Sequence, residues 1–380
     1  MTMNSVVLSC ALILITASCG NGLSSSRRQF FGNVIKTSAM VGISTQQALA
    51  EPLAVSGNVN DNSFYTPIPH SLDGKLMIVT GGTTGLGLET CKRLAMGGAS
   101  IVLTSRTEAK GQSAIDAIQE YIQDKGVQNK NIFSVLLDLD DLSSVKAFPE
   151  RLTKAVGKEQ KVNVLVNNAG VMAIPERELT KDGFERTFQS NHLGHFVLTA
   201  ELMDRLATDA RIINVSSEAY QFAPGGLDFH NLNGESNYGP WSSYGESKLA
   251  NILFAKELQR RADAVGRSIK AYSLHPGAVQ TDLGRNLMGS EKWERMKTEG
   301  LKGWDALLLN TLSKFIKTVE DGASTQIYLA ASDDVTSNIA GGTFFVNMKP
   351  ESVKQFADDM EAANKLWQVS EEMGNITFKL

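Results

Sequence analysis

Leu76-Met77-Ile78-Val79-Thr80-Gly81-Gly82-Thr83-Thr84-Gly85-Leu86-Gly87 is the stretch on which the fold turns. Four consecutive apolar residues mark a strand buried on both faces, because a half-buried strand would alternate with polar residues. The run stops at a glycine cluster, and from Leu86 to Ala95 apolar residues return at helical spacing. Strand, glycine turn and helix in that order form a first βα unit. In such a turn, glycines let backbone N–H groups approach a pyrophosphate, and the helix N-terminus adds its partial positive charge. Gly81, Thr83, Thr84, Gly85, Leu86 and Gly87 are therefore candidate dinucleotide contacts. A glycine cluster alone fits a plain tight turn equally well, and it is the placement at a strand–helix junction that favours the dinucleotide.

The pattern repeats along the chain. Ser100–Thr104, Ile132–Leu137, Val162–Val166, Arg211–Val215, Ile269–Leu274 and Thr343–Val346 read as further strands with helical stretches between them, including one over Ala109–Lys125. Alternating strands and helices imply right-handed crossovers and a parallel sheet covered on both faces. The expectation is a single doubly wound Rossmann domain with a mostly parallel seven-stranded sheet over residues 74–350, followed by a C-terminal helical tail at 351–380. Residues 51–73 are rich in Gly, Asn, Asp and Pro and read as a linker or a wrapped arm.

At the end of the second strand stands Ser105-Arg106. NAD-selective proteins of this class carry there an acid that binds the ribose 2′-hydroxyl. A guanidinium can instead pair bidentately with a 2′-phosphate, so the sequence favours NADPH/NADP as cofactor, the alternative being a solvated arginine.

These residues, together with Asn167-Asn168-Ala169-Gly170, Ser216-Ser217, Tyr244-Gly245-Glu246-Ser247-Lys248 and His275-Pro276-Gly277 in this order, resemble the short-chain dehydrogenase/reductase family from Gly74 to about Pro350. Asn191-His192-Leu193-Gly194-His195-Phe196, Ser247 to Phe254 and Leu366 to Ser370 resemble its retinol-dehydrogenase-like branch. Protochlorophyllide reductases are close relatives, but their motif after the fourth strand departs from the NNAG kept here. The resemblance implies an NADPH-dependent oxidoreductase interconverting a carbonyl and an alcohol. Light-driven protochlorophyllide reduction and a nucleotide sensor without turnover are the competing readings, and an intact proton relay argues against the sensor.

Tyr244 and Lys248 are four residues apart and share a helix face. A neighbouring ammonium favours phenolate, so the expectation is a lowered tyrosine pKa and proton exchange near neutral pH. The resemblance further implies that Ser217, rather than Ser216, holds the substrate oxygen and that Asn191 orders a water relay behind Lys248. It places Lys248 on the nicotinamide ribose, Thr281 on the carboxamide, Asp138 at the adenine, and Asn168 and Gly170 along the cofactor, with Asn168 equally able to tie neighbouring strands. His192 and His195 lack a third ligand and read as packing residues, so no metal is expected. Glu246 reads as solvated and Cys91 as a small packed residue.

The 380-residue chain has 37 basic and 41 acidic side chains, a formal charge of −4. This carries no electrostatic footprint for nucleic acid. Apolar residues recur between Asp282 and Thr318, the interval that covers the substrate in the resembled family, and fit a bulky hydrophobic small-molecule substrate. Trp304 to Lys317 could lie on a membrane surface as a peripheral contact, or pack on the domain core or a second copy of the chain in a homo-oligomer.

The first 50 residues read as a targeting leader. An apolar run from Val6 to Ala17 resembles a signal peptide. Ser26-Arg27-Arg28-Gln29-Phe30-Phe31, the weakly apolar Val34 to Ile43, and Ala48-Leu49-Ala50 resemble a twin-arginine export signal. Two signals in tandem resemble the bipartite leaders of plastid proteins, with the thylakoid lumen or a membrane surface as destination. The alternative is one secretory leader with a chance Arg-Arg pair. Cleavage is expected after Ala50, and N-terminal sequencing of the purified protein should begin within residues 45 to 56.

Overall fold

The computed structural model describes residues 58–60, 64–279 and 317–380. The leader, Thr281 and the apolar interval up to residue 316 lie outside the described residues. The strands are β1 (Asn58–Asn60), β2 (Phe64–Thr66), β3 (Leu76–Val79), β4 (Ser100–Ser105), β5 (Ile132–Leu136), β6 (Val162–Asn167), β7 (Leu206–Val215), β8 (Lys270–His275), β9 (Phe344–Val346) and β10 (Lys349–Glu351). The main helices are α1 (Gly85–Met96), α2 (Glu108–Gln123), α3 (Leu142–Lys146), α4 (Phe148–Val156), α5 (Gly194–Leu202), α6 (Pro240–Ala264), α7 (Val319–Ala331), α8 (Asp333–Asn338) and α9 (Met360–Gly374).

Among the described residues the main sheet has eight strands in the order β10-β9-β8-β7-β6-β3-β4-β5. All seven expected strands are present and parallel. The eighth, β10, pairs antiparallel at the edge. All three of its residues, Lys349, Pro350 and Glu351, are exposed, so no apolar run announces it. Charged residues and a proline on a sheet edge also discourage pairing with another chain. Strand order reverses between β3 and β6, which opens a crevice at their carboxyl ends.

Leu76 and Ile78 belong to one apolar core, Met77 and Val79 to another on the opposite face of the sheet. This is why β3 is apolar at every position. Helices α1, α2 and α7 cover one face, and α4, α5, α6 and α9 the other. Among the described residues no helix is long and apolar enough to cross a membrane.

The described residues just before the domain, from Phe64 onward, dock on it. Strand β1 pairs antiparallel with β2. Tyr65 is buried, its N–H donating to Ser324 Oγ at 3.4 Å and its carbonyl accepting from Arg93 Nη1 at 2.9 Å. The C-terminal tail likewise joins the core. Asp359 caps α9 by accepting from the Glu361 and Ala362 amides, and Trp367 on that helix is only 1% exposed. Its ring lies 4.4 Å from that of Phe378 and 5.1 Å from that of Phe196. Truncating a buried indole leaves a cavity as well as losing transfer energy. Trp367→Ala should therefore destabilise the protein by about 3–5 kcal/mol, read as a lowered denaturation midpoint in urea with little change in slope.

Candidate active site

The crevice between β3 and β6 is held by Thr80, which is fully buried. Its hydroxyl oxygen accepts from the Asn168 and Ala169 amides at 2.8 and 2.9 Å and lies 2.9 Å from His195 Nε2. Asn168 closes the link by donating from Nδ2 to the Thr80 carbonyl at 2.8 Å, so the side chain ties the two strands together. The sequence motif contains Thr80, but only the assembled sheet reveals its role as a junction.

The glycine turn leaves no room for side chains. Gly81 has φ +63, and a Cβ at Gly87 would lie 2.3 Å from the Gly81 carbonyl oxygen. Thr84, the N-cap of α1, is extended and makes no side-chain cap bond, so the helix presents uncapped N–H groups there. A tight backbone cradle beside an uncapped helix N-terminus fits the pyrophosphate of a dinucleotide. Thr83, Gly85 and Leu86 complete the turn. Arg106 is exposed immediately after β4 and makes no ion pair or hydrogen bond among the described residues. Asp138 is half-buried after β5 and accepts from the Asp140 amide at 3.1 Å, so one carboxylate oxygen is engaged in a local turn.

Beyond β6 the chain reaches the second half of the site. A Cβ at Gly170 would lie 2.9 Å from Asn191 Oδ1 and 3.5 Å from Lys248 Nζ. Asn191 sits in a π-helical turn, Gln189–Leu193, that leads into α5. Such turns are frequent at functional sites, and the sequence carries no period that would reveal one. The Asn191 amide clasps Val171 through both its N–H and its carbonyl, at 2.7 and 2.9 Å, and donates to Ser247 Oγ at 2.9 Å.

Ser217, Tyr244 and Lys248 come together. The Lys248 ammonium lies 5.5 Å from the Tyr244 ring centroid, on the same face of α6, and the Ser217 side chain is near enough to the Tyr244 phenol to lower its pKa. Ser216 is turned away, its buried hydroxyl donating to the Lys248 carbonyl at 2.6 Å. Lys248 Nζ donates to the Val215 carbonyl at 3.1 Å. The expected acidification of the tyrosine is absent from this geometry. Burial pushes the phenol up to about 12, against a smaller lowering by the neighbouring Ser217 side chain. Burial also pushes the Lys248 ammonium down to about 8. Desolvation is the larger effect on both groups.

Other expectations resolve around this centre. His192 and His195 are buried, and burial lowers their imidazoles to about 3 and about 4, respectively. His192 Nε2 meets Ser370 Oγ at 3.0 Å, tying α9 to the π-turn. Cys91 is buried with its thiol pushed up by desolvation. Glu246 departs from its expected place in solvent. It is half-buried, and desolvation, with Asp228 and Glu185 nearby, pushes its carboxyl up to about 7. Helical spacing put it on another face from Tyr244, but on that face Asp228, from the loop after β7, and Glu185, before the π-helical turn, are its charged neighbours.

A family model described as short chain dehydrogenase matches residues 75–292. Retinol dehydrogenase 12 of Mus musculus is 36% identical over 310 residues, covering 81% of this chain and 89% of its own. Among solved structures, a protein from Mycobacterium Paratuberculosis is 31% identical with a TM-score of 0.62, spanning 83% of this chain and 100% of that one. A blue fluorescent protein from a metagenomic library, crystallised in complex with NADPH, is 25% identical with a TM-score of 0.51 over 72% of this chain and 96% of its own. With this fold, this glycine cradle and the Ser217, Tyr244 and Lys248 cluster at the crevice, the chain belongs to the short-chain dehydrogenase/reductase family of oxidoreductases, in its retinol-dehydrogenase-like branch.

Proposed function

We propose that the protein is an NADPH-dependent reductase that converts a carbonyl to an alcohol on a bulky hydrophobic substrate. The observation that carries this reading is the meeting of Ser217, Tyr244 and Lys248 beside the switch-point crevice. The coenzyme assignment is supported by the exposed, unengaged Arg106 and by the NADPH held in the related blue fluorescent protein. The substrate class is supported by the name of the mouse relative and by an aromatic wall beside the tyrosine. The Trp241 ring lies 6.4 Å from that of Tyr244, and Phe222 lies 5.9 Å beyond it, both half-buried. Plastid delivery through the leader belongs to the same proposal.

The glycine turn from Gly81 to Gly87 would hold the pyrophosphate, Arg106 the 2′-phosphate and Lys248 the nicotinamide ribose, with Asn168 and Gly170 alongside and Asp138 toward the adenine. The bound nicotinamide supplies hydride. Ser217 holds the substrate oxygen by hydrogen bond, and Tyr244 gives that oxygen its phenolic proton. A phenol at about 12 stays protonated at neutral pH and serves as a general acid, which supports the reductive direction. Lys248 is charged below about pH 8 and stabilises the phenolate left after transfer.

Two measurements test this. Arg106→Asp should reverse the preference for NADPH over NADH in steady-state assays with a panel of retinaldehyde, long-chain aldehydes and polyprenyl ketones, and an unchanged ratio would defeat the coenzyme assignment. Tyr244→Phe should lower the reductive kcat by about 10²- to 10⁴-fold. In the parent enzyme the reductive rate should be full below about pH 8 and fall as pH rises through it, where Lys248 loses its proton. A flat profile would refute the role given to Lys248.

A further inference from the structure

Ser217 is the last extended residue before a 3₁₀ turn, Glu218–Phe222, which it caps by accepting from the Ala219 amide at 3.2 Å. The neighbours on either side of it are both held by the carboxyl end of β8. Ser216 N–H donates to the Leu274 carbonyl at 2.7 Å, continuing the parallel ladder that pairs Val215 with Leu274. At the next step the ladder cannot continue, because the chain turns. There the Glu218 N–H donates at 3.2 Å to a side chain, Nδ1 of His275. A histidine nitrogen thus accepts one step beyond the last ladder bond, directly after Ser217.

We infer that His275 is a positioning residue for Ser217, acting as the acceptor under the Glu218 amide. The inference rests on the role proposed above for Ser217 and Tyr244. To accept at Nδ1 the ring must be neutral with its proton on Nε2. The Glu218 contact sets the tautomer, and the surroundings keep the ring neutral. His275 is 8% exposed, burial lowers its pKa to about 3, and the nearby Lys317 charge acts in the same direction. The opposite side of the turn is also confined. A Cβ at Gly245, the residue after the tyrosine, would lie 2.7 Å from the Ala219 carbonyl oxygen and 3.0 Å from Phe222 Cβ. The turn that carries Ser217 is therefore seated against α6 one residue from Tyr244, with His275 beneath it.

The side chain of Asn can present an acceptor oxygen where His presents Nδ1, and Leu cannot. His275→Leu should lower kcat for reduction of retinaldehyde by NADPH by about 10- to 100-fold, since small misplacements of a reacting group are costly, with the KM for NADPH changed less than about 3-fold because the cradle is untouched. His275→Asn should recover most of the loss. The decisive comparison is a double-mutant cycle with Ser217→Ala: if His275 acts through Ser217, the double variant is no slower than Ser217→Ala alone. Thermal melting and NADPH titration monitor the fold, and if His275→Leu does not fold, His275→Ser, whose hydroxyl falls short of the amide, takes its place with the same expectation. Ser217→Ala at full activity would overturn the proposed site itself. An impaired Ser217→Ala, with His275→Leu fully active or with the two losses multiplying, would overturn the role of His275 and leave the site standing.

Discussion

The buried hydroxyl of Thr80 joins the two halves of the site. It accepts two amides from the loop after β6 while its own backbone begins the glycine turn after β3, at the point where the sheet changes direction. A polar group taken out of water at such a place must be fully bonded, and this one is. The consequence is a fixed distance between the cofactor cradle and the segment that carries Gly170, which in turn abuts Asn191 and Lys248. The two ends of the chemistry start from neighbouring paired strands, and Thr80 and Asn168 cross-link the chain where those strands end.

Around that junction the balance of electrostatic terms is set by burial. The phenol and the amine of the candidate pair move away from their ordinary values in opposite directions, each toward its neutral form. An isolated helix face would have the ammonium acidify the phenol. In the folded protein the amine donates to the Val215 carbonyl, and desolvation is the larger effect on both groups. The result is a tyrosine that keeps its proton and a lysine that is charged at neutral pH but titrates not far above it, a combination suited to giving a proton away.

The elements that the chain announces are those whose side chains answer to one local rule. All seven parallel strands follow from apolar runs, since strands covered on both faces tolerate little else. The edge strand β10 was illegible because its three residues face solvent. The π-turn at Asn191 was illegible because one extra residue in a helical turn leaves no period behind. The docking of the arm through Tyr65 and Arg93 depends on α1 and α7, far apart in sequence, arriving at one place.

The order of strands and helices, the glycine cradle and the pairing of Tyr244 with Lys248 on one helix face were determined by the sequence alone, because each depends on spacing along a single element. The covering of Glu246 and the direction of the tyrosine and lysine shifts were decided only by the tertiary structure. These depend on which groups from distant segments exclude water from a side chain, and local spacing carries no record of that.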